Sequence, residues 1–362
     1  MRSTRIYIHP KFKLNGLSYR FDALHELALN FEESPVPYEK VIGKFIKEWL
    51  NNKKHIVIMT SGTSGTPKNI NILKNQMINS AIATGAFFKL PSETKALLCL
   101  PASYIAGKMM LVRAMTLGWD LYFTGPQKDP LGQNDKTYDF VAMVPFQVRY
   151  SLKHLNKVKK LIVGGAAISE KLNEQLQHVS TEVFATYGMT ETLSHVAVKA
   201  INGKAKSNYY AALPNVNFSV DRRECLVIEA PHVSNLKIIT NDVVKLISTN
   251  MFEYLGRLDN VVNSGGVKLF PEQIEAKLAI YMNRPFIISS EKEEIFGYQL
   301  ILIIEEDFKK ELPDFNEVFL NLSKYERPKK IYTYSKFLYT ETGKIRRSEI
   351  LNDLHQATEL IQ

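Results

Sequence analysis

Between Ile56 and about Ser248 the chain alternates short apolar runs, at residues 96–100, 121–123, 140–144, 161–163, 183–185 and 226–230, with stretches of helical period. Strands and helices that alternate in this way can bury their apolar sides only as an α/β domain, with helices laid on a sheet. No internal repeat or low-complexity linker interrupts the pattern. With 362 residues, 45% of them hydrophobic and 23% charged, the chain is long enough for two domains and too apolar for disorder.

The run at residues 55–59 reads as a buried strand. It opens into Thr60-Ser61-Gly62-Thr63-Ser64-Gly65-Thr66-Pro67-Lys68. Backbone N–H groups, hydroxyls and a cation are the groups that bind phosphate oxygens, so this loop is a nucleotide-phosphate candidate; a polar surface turn is the other reading. It is not the common P-loop, because Lys68 follows Pro67 rather than a glycine.

Two later stretches also leave strands. Val163-Gly164-Gly165-Ala166-Ala167-Ile168-Ser169 precedes a helix that Ser169 can cap, and its glycines let backbone approach a flat ring. A plain strand-to-helix turn is the alternative. Thr186-Tyr187-Gly188-Met189-Thr190-Glu191-Thr192 brings an aromatic, a hydroxyl and a carboxylate within a few residues, which suits a nucleotide triphosphate. Tyr187 can stack on adenine, Thr190 can reach a phosphate oxygen, and Glu191 can hold Mg²⁺, a hard cation that takes oxygen ligands.

Loop 60–68 and residues 186–192 are followed by Gly256-Arg257-Leu258-Asp259-Asn260, Ser264-Gly265-Gly266-Val267-Lys268 and Thr342-Gly343-Lys344-Ile345-Arg346. In this order and at these separations, from about Ile56 to Arg347, the set resembles the adenylate-forming family of acyl- and aryl-CoA synthetases, luciferases and peptide-synthetase adenylation domains. Within it, the chain is most similar to the o-succinylbenzoate–CoA ligases of menaquinone biosynthesis. Members usually carry a much longer region ahead of the loop, so the chain resembles a shortened version.

The resemblance implies a large N-terminal α/β domain of sheets sandwiching helices (residues 1–258). A small mobile C-terminal α+β lid (residues 259–362) would follow, with Asp259 as the hinge. It implies nucleotide contacts by Thr60, Ser61, Gly62, Thr63, Ser64, Gly65, Thr66, Lys68, Gly164, Gly165, Ala166, Thr186, Tyr187, Gly188, Met189 and Arg257. Asp242, in Thr240-Asn241-Asp242, would hold the ribose hydroxyls; Asn241 stands where the family has Gly. Lys344, Thr190 and Glu191 become the catalytic group, Glu191 also the Mg²⁺ ligand, and Gly265 and Gly266 approach the pantetheine arm. The acid would meet Tyr104, Ser194 and His195. Tyr104 departs from the His usual in these ligases, and a satisfied, non-catalytic histidine is the better reading of His195. Lys108 either pairs with a second carboxylate or is an exposed helical lysine.

The activity implied is that of an AMP-forming acid–CoA ligase, joining o-succinylbenzoate and coenzyme A at the expense of ATP, with AMP and diphosphate as products. Another aryl- or acyl-CoA synthetase is one alternative. An aminoacyl-adenylating domain serving a carrier protein is another, although such pockets place an Asp near Ser103-Tyr104 and none stands there. The formal charge of +9 admits nucleic acid, a membrane surface or polyanionic ligands. Its Lys and Arg are scattered and no nucleic-acid module accompanies them, which favours ATP, coenzyme A and a small carboxylate as partners and leaves a basic nucleic-acid binder as the rival.

Cys99 and Cys225 sit in apolar runs and read as buried and reduced, and the eight histidines lack ligand spacing. No run of membrane-spanning length and no signal-type segment occurs, so a cytoplasmic protein with no integral membrane segment is expected, a homodimer being left open. The remaining expectations concern local structure. Val41, Ile42, Phe45, Ile46, Trp49 and Leu50 share one helical face that should pack on the first sheet. Pro271 should begin a helix, with Ile274 and Leu278 on its inner face. Residues 298–305 and 330–334 read as strands, 313–325 as a helix, and a last helix follows Arg347.

Overall fold

A computed structural model describes residues 6–59, 69–133, 135–294, 297–306, 311–339 and 345–360. Thr60, Ser61, Gly62, Thr63, Ser64, Gly65, Thr66 and Lys68 of the glycine-hydroxyl loop, and Lys344, lie outside the described residues.

The apolar runs become strands of one 13-stranded sheet. Its first half is parallel: Asp120–Phe123, Lys95–Leu98, Tyr138–Met143, Val158–Val163 and Glu182–Gly188 lie side by side in that order. Such strands are buried on both faces, and the near-continuous burial of Tyr138–Met143 is the expected signature. Beyond Glu182–Gly188 the sheet turns antiparallel, through His195–Ala200, Tyr210–Ala212, Met251–Arg257, Ile238–Ser248, Cys225–Glu229 and Asn217–Val220. The short strands Lys13–Leu14 and Leu17–Ser18 extend the opposite edge. The large sheet is mixed because Glu182–Gly188 takes a parallel neighbour on one side and an antiparallel one on the other.

His55–Met59 stays out of this sheet and pairs with Asn69–Leu73 as a two-stranded hairpin. Ile56, Ile58 and Ile72 are buried, whereas Val57 and Leu73 are exposed. The strand expected to be buried is thus half-buried, its period-two alternation masked in the sequence by an apolar residue on the solvent side.

Pro37–Leu50 is a helix with Pro at its start, and Ile42, Phe45, Ile46, Trp49 and Leu50 are buried, as their spacing requires. It lies against the helix Phe21–Glu33, and both share one core with sheet residues such as Leu98 and Leu121. Gly43 permits that approach, since a Cβ there would stand 2.6 Å from Ala28 O and 2.7 Å from Phe31 Cβ. Cys99 and Cys225 are buried thiols. Among the described residues no helix is long and apolar enough to cross a membrane.

After Arg257 the chain builds smaller sheets, the hairpin Val262–Ser264 with Val267–Leu269 and a four-stranded sheet ordered Phe286–Glu293, Gly297–Glu305, Lys330–Tyr334, Thr358–Leu360. Pro271–Leu278 is helical and buries Ile274 and Leu278. The helix expected over 313–325 is a correction: it forms only at Phe315–Phe319, followed by a separate 3₁₀ turn at Lys324–Glu326. Two caps divide the apolar pattern. The Asp314 side chain accepts the Asn316 N–H, and Ser323 with Glu326 forms a reciprocal box that starts a new turn. Residues Arg347–Asn352 form the last helix.

Replacing a helical Gly by Ala ordinarily stabilises a helix by about 1 kcal/mol. At Gly43 the added methyl meets backbone, so overpacking outweighs propensity, and Gly43→Ala should lower unfolding stability by roughly 1–2 kcal/mol. A urea midpoint unchanged or raised in the variant would contradict this account of the helix contact.

Candidate active site

The parallel strands share a direction, so their carboxyl ends open on one edge, where ligands of open α/β sheets bind. Three segments singled out in the sequence leave that edge. Tyr104 follows Lys95–Leu98, Gly164, Gly165 and Ala166 follow Val158–Val163, and Gly188 ends Glu182–Gly188. Gly164 N–H donates to Met143 O, which joins two neighbouring strand ends, and the Thr186 hydroxyl donates to Val163 O. Ser169 caps the following helix by accepting the Leu172 N–H.

Asp242 is the node of the site. Its carboxylate is 6% exposed, accepts the Tyr187 O–H at 2.5 Å on one oxygen and the Arg257 Nη1 at 3.3 Å on the other. Asp242 and Arg257 are cross-strand partners, and Tyr187 comes from a strand separated from that of Arg257 by two others. The Asp242 N–H is held by the Thr240 hydroxyl, which itself donates to Leu226 O. Arg257 also pairs with Asp259 at 3.0 Å, and Asn241 reaches the same residue at 3.5 Å. The Tyr187 ring lies among Tyr210, Phe252 and Tyr254. Burial first, and then the Asp242 charge, hold its hydroxyl far above the ordinary phenol range, so it remains a donor.

Beyond Tyr187 the chain bends sharply. Thr190, Glu191 and Thr192 form a 3₁₀ turn that leaves Glu191 exposed, and the buried Leu193 adopts φ +65° with the Ser194 N–H donating to Thr192 O at 2.7 Å. This is a three-residue turn of a rare and strained kind, of a sort concentrated where function demands it. Only glycine fits opposite it, because a Cβ on Gly188 would lie 2.3 Å from Ser194 O.

Below the turn sits a cluster that the sequence did not reveal. Arg113 is buried, and among the described residues no carboxylate pairs with it. Its Nη2 donates to Ser194 Oγ at 2.6 Å and stands 3.5 Å from His195 Nδ1, while its Nε donates to Thr84 Oγ1 at 3.3 Å. Burial lowers its pKa to about 9, so it stays charged at neutral pH. Burial, with the neighbouring guanidinium second, pushes His195 well below the ordinary histidine range, so its imidazole is neutral. A signal was present in the sequence: Arg113 is the one charge in the apolar run 109–115.

Lys108, five residues earlier on the same helix, points elsewhere. Its ammonium lies 3.9 Å from Glu48 and 5.3 Å from the Phe45 ring, so it already has a counter-charge. Five residues turn a helix through about 140° net, which separates Lys108 from Arg113. Gly265 and Gly266 form the exposed tip of the hairpin Val262–Ser264 with Val267–Leu269. Met189 is partly buried against the main core. Among the described residues no cluster of three metal-ligating side chains occurs, and Glu191 is exposed.

Comparison with known proteins adds the following. The model of the AMP-binding enzyme family matches residues 15–226. A relative from Escherichia coli (strain K12), 2-succinylbenzoate–CoA ligase, is 27% identical over 308 residues, 80% of this chain and 66% of that protein. The chain therefore spans about two thirds of that relative. Among solved structures, an acyl-CoA synthetase (AMP-forming)/AMP-acid ligase II-like protein from Dyadobacter fermentans is 36% identical with a TM-score of 0.61, covering 91% of this chain and 98% of that one. The o-succinylbenzoate CoA synthetase of Bacillus subtilis, in complex with its acyl-adenylate intermediate, shares the fold at a TM-score of 0.73 and 14% identity, covering 94% and 95%.

The buried neutral histidine has a consequence for stability. His195 has a folded pKa below its ordinary 6.5, so unfolding takes up a proton there on acidification. Its contribution is present above about pH 6.5 and is lost as pH falls below that value, at up to about 1.4 kcal/mol per pH unit. His195→Gln, which does not titrate, should flatten that part of the stability profile between neutral pH and about pH 5. Parallel profiles for the two proteins in chemical denaturation would show that His195 is not held neutral.

Proposed function

The chain belongs to the AMP-binding enzyme family, and from that premise we propose that it is an AMP-forming acid–CoA ligase. A carboxylate attacks the α-phosphorus of ATP, the bond to diphosphate breaks, and an acyl-adenylate results. The thiolate sulfur of coenzyme A then attacks the acyl carbon and AMP leaves. The observation that carries the reading is the set Tyr187, Asp242 and Arg257, gathered at the carboxyl edge of the sheet.

The residues present fit a nucleotide. A carboxylate offers about four lone-pair sites, and Asp242 uses one on each oxygen, so it can still accept from ribose hydroxyls. Tyr187 supplies a ring for adenine, and Gly164, Gly165, Ala166, Thr186, Gly188 and Met189 line the strand ends around it. Thr190 and the exposed Glu191 face the phosphates in this reading. Mg²⁺, when bound, neutralises triphosphate charge, and one carboxylate suffices because this cation is usually held largely by phosphate oxygens and water. Thr60, Ser61, Gly62, Thr63, Ser64, Gly65, Thr66 and Lys68 are assigned to the phosphates and Lys344 to the α-phosphate by sequence alone. The division at residues 258 and 259, with Asp259 as hinge and Gly265 and Gly266 turned to the pantetheine arm, is part of the same proposal.

For the acid we take o-succinylbenzoate, the substrate printed in the names of the curated relatives. That molecule carries two carboxylates, one of which reacts. A buried charge without a counter-ion is costly, and among the described residues Arg113, beside Ser194 and His195, has none. The second carboxylate would supply what Arg113 lacks, a role that Lys108, already paired with Glu48, does not need to fill. Tyr104, the residue before the Arg113 helix, is assigned to the acid as part of the same proposal. Small molecules are the only partners the reading requires, and it places the enzyme in the cytoplasm.

Pyrophosphate exchange across o-succinylbenzoate, benzoates, 4-coumarate and fatty acids tests the acid. Exchange should be strongest with o-succinylbenzoate; a fatty or hydroxycinnamic acid in first place would overturn the choice while leaving the ligase reading intact. Exchange with none of them would sink both.

Lys344 tests the mechanism. In this reading its ammonium meets the charge developing between the carboxylate and the α-phosphate, and only during adenylation. Lys344→Ala should slow adenylate formation by at least about 10²–10³. Supplied with synthetic acyl-adenylate and coenzyme A, the same variant should release thioester at near the parental rate. Adenylation retained within about threefold would remove Lys344 from the chemistry.

A further inference from the structure

Thr84 lies in the helix Lys74–Phe88, outside every motif considered so far, and is fully buried. Its hydroxyl is 3.0 Å from Ser80 O, accepts Arg113 Nε at 3.3 Å, and stands 3.4 Å from His195 Nε2. On the far side of the imidazole, His195 Nδ1 is 3.3 Å from Ser194 Oγ, and Ser194 Oγ accepts Arg113 Nη2. Arg113, Thr84, His195 and Ser194 therefore close a four-membered ring of hydrogen bonds.

The donors around this ring can be counted. A guanidinium only donates, so both Thr84 and Ser194 accept from Arg113. The single Thr84 hydrogen is directed to Ser80 O, its nearer partner. That leaves the Thr84 oxygen facing His195 as an acceptor, and Nε2 must carry the imidazole proton. Nδ1 is then bare and accepts from the Ser194 hydroxyl or from Arg113 Nη2. The opposite tautomer would set an Nδ1–H against a guanidinium N–H at 3.5 Å and would draw the Thr84 hydrogen away from Ser80. An imidazolium would do the first of these and add a second buried positive charge. One arrangement satisfies every group, and it fixes Ser194 directly after the strained turn at Leu193.

We propose that Thr84 is a positioning residue of the acid pocket: by accepting from Nε2 it sets the His195 tautomer, and through the closed ring it aims the Arg113 guanidinium and holds Ser194. The proposal rests on the reading of this pocket as the acid site. It separates two roles within one site, since the Thr84 hydroxyl meets Ser80, Arg113 and His195 and none of Tyr187, Asp242 and Arg257.

Thr84→Val keeps the shape and removes the hydroxyl, whereas Thr84→Ser keeps the hydroxyl. With Val, KM for the acid should rise about tenfold, the worth of one or two hydrogen bonds, while KM for ATP stays within about twofold. Ser should restore the parental KM for the acid. Nitrogen-15 spectra of the histidine rings, assigned with His195→Gln, should show a protonated Nε2 and a bare Nδ1 in the parental protein, and a loss of that single state in the Val variant. The proposal is overturned if the two KM values move together, if Ser fails to rescue in a variant that melts like the parent, or if the parental His195 carries its proton on Nδ1. The ring spectra need no substrate, so they decide the Thr84 role even where no acid in the panel is activated and the ligase reading falls.

Discussion

One buried carboxylate, that of Asp242, connects parts of the sheet that the backbone ladder alone keeps apart. Tyr187 ends a strand of the parallel half, whereas Arg257 and Asp242 lie on adjacent antiparallel strands, and the two hydrogen bonds on Asp242 bring all three side chains to one edge. Neither bond is dispensable to the geometry. A buried carboxylate without partners is strongly disfavoured, and a buried phenol needs an acceptor, so each group makes the other's position tolerable. Arg257 extends the link to Asp259, and its own N–H, with the Asn260 amide, donates to Glu272 at the start of the next helix. The charge network of the site thus runs on into the helix Pro271–Leu278, beyond the hairpin that follows Arg257.

The α/β class was legible because burial on both faces leaves continuous apolar runs, and five of the six runs noted in the sequence became strands of the same sheet in its parallel half, with the sixth in the antiparallel half. What sequence period could not supply was partnership. The run at residues 55–59 looks like a central strand, since Val57 is as apolar as its buried neighbours, yet it pairs only within a hairpin. The helix Phe21–Glu33 was missed because only Leu24 and Ala28 of it are buried, too few to mark a face. The overlong helix at 313–325 failed for a local reason, as Asp314 caps the start of a short helix and Ser323 caps the start of a separate turn.

The site divides along similar lines. Motifs of glycine, hydroxyl and carboxylate at strand ends were readable because they are contiguous, and Tyr187 and Gly164 stand at the carboxyl ends of parallel strands. Arg113 and Thr84 were not, because each is a single polar residue inside an apolar helix, and only tertiary contact reveals that they meet Ser194 and His195. Lys108 is nearer to the Tyr104 segment in sequence but faces Glu48. His195, read from the sequence as a satisfied histidine, is buried beside a guanidinium and held neutral there.

The hairpin of His55–Met59 and Asn69–Leu73 shares no ladder with the 13-stranded sheet. It is seated on the core by the faces of Ile56, Ile58 and Ile72 and by the Lys74 ammonium, which donates to Trp49 O and Asn51 O. Mechanically this is a bracket fixed by friction and one bolt rather than a beam cast into the wall. Dispersion contacts between apolar faces lack the directionality of hydrogen bonds, so such a bracket resists being pulled away more than it resists sliding along the face. Size and shape at the three isoleucine positions, more than any polar contact, then set where the two strand ends stand.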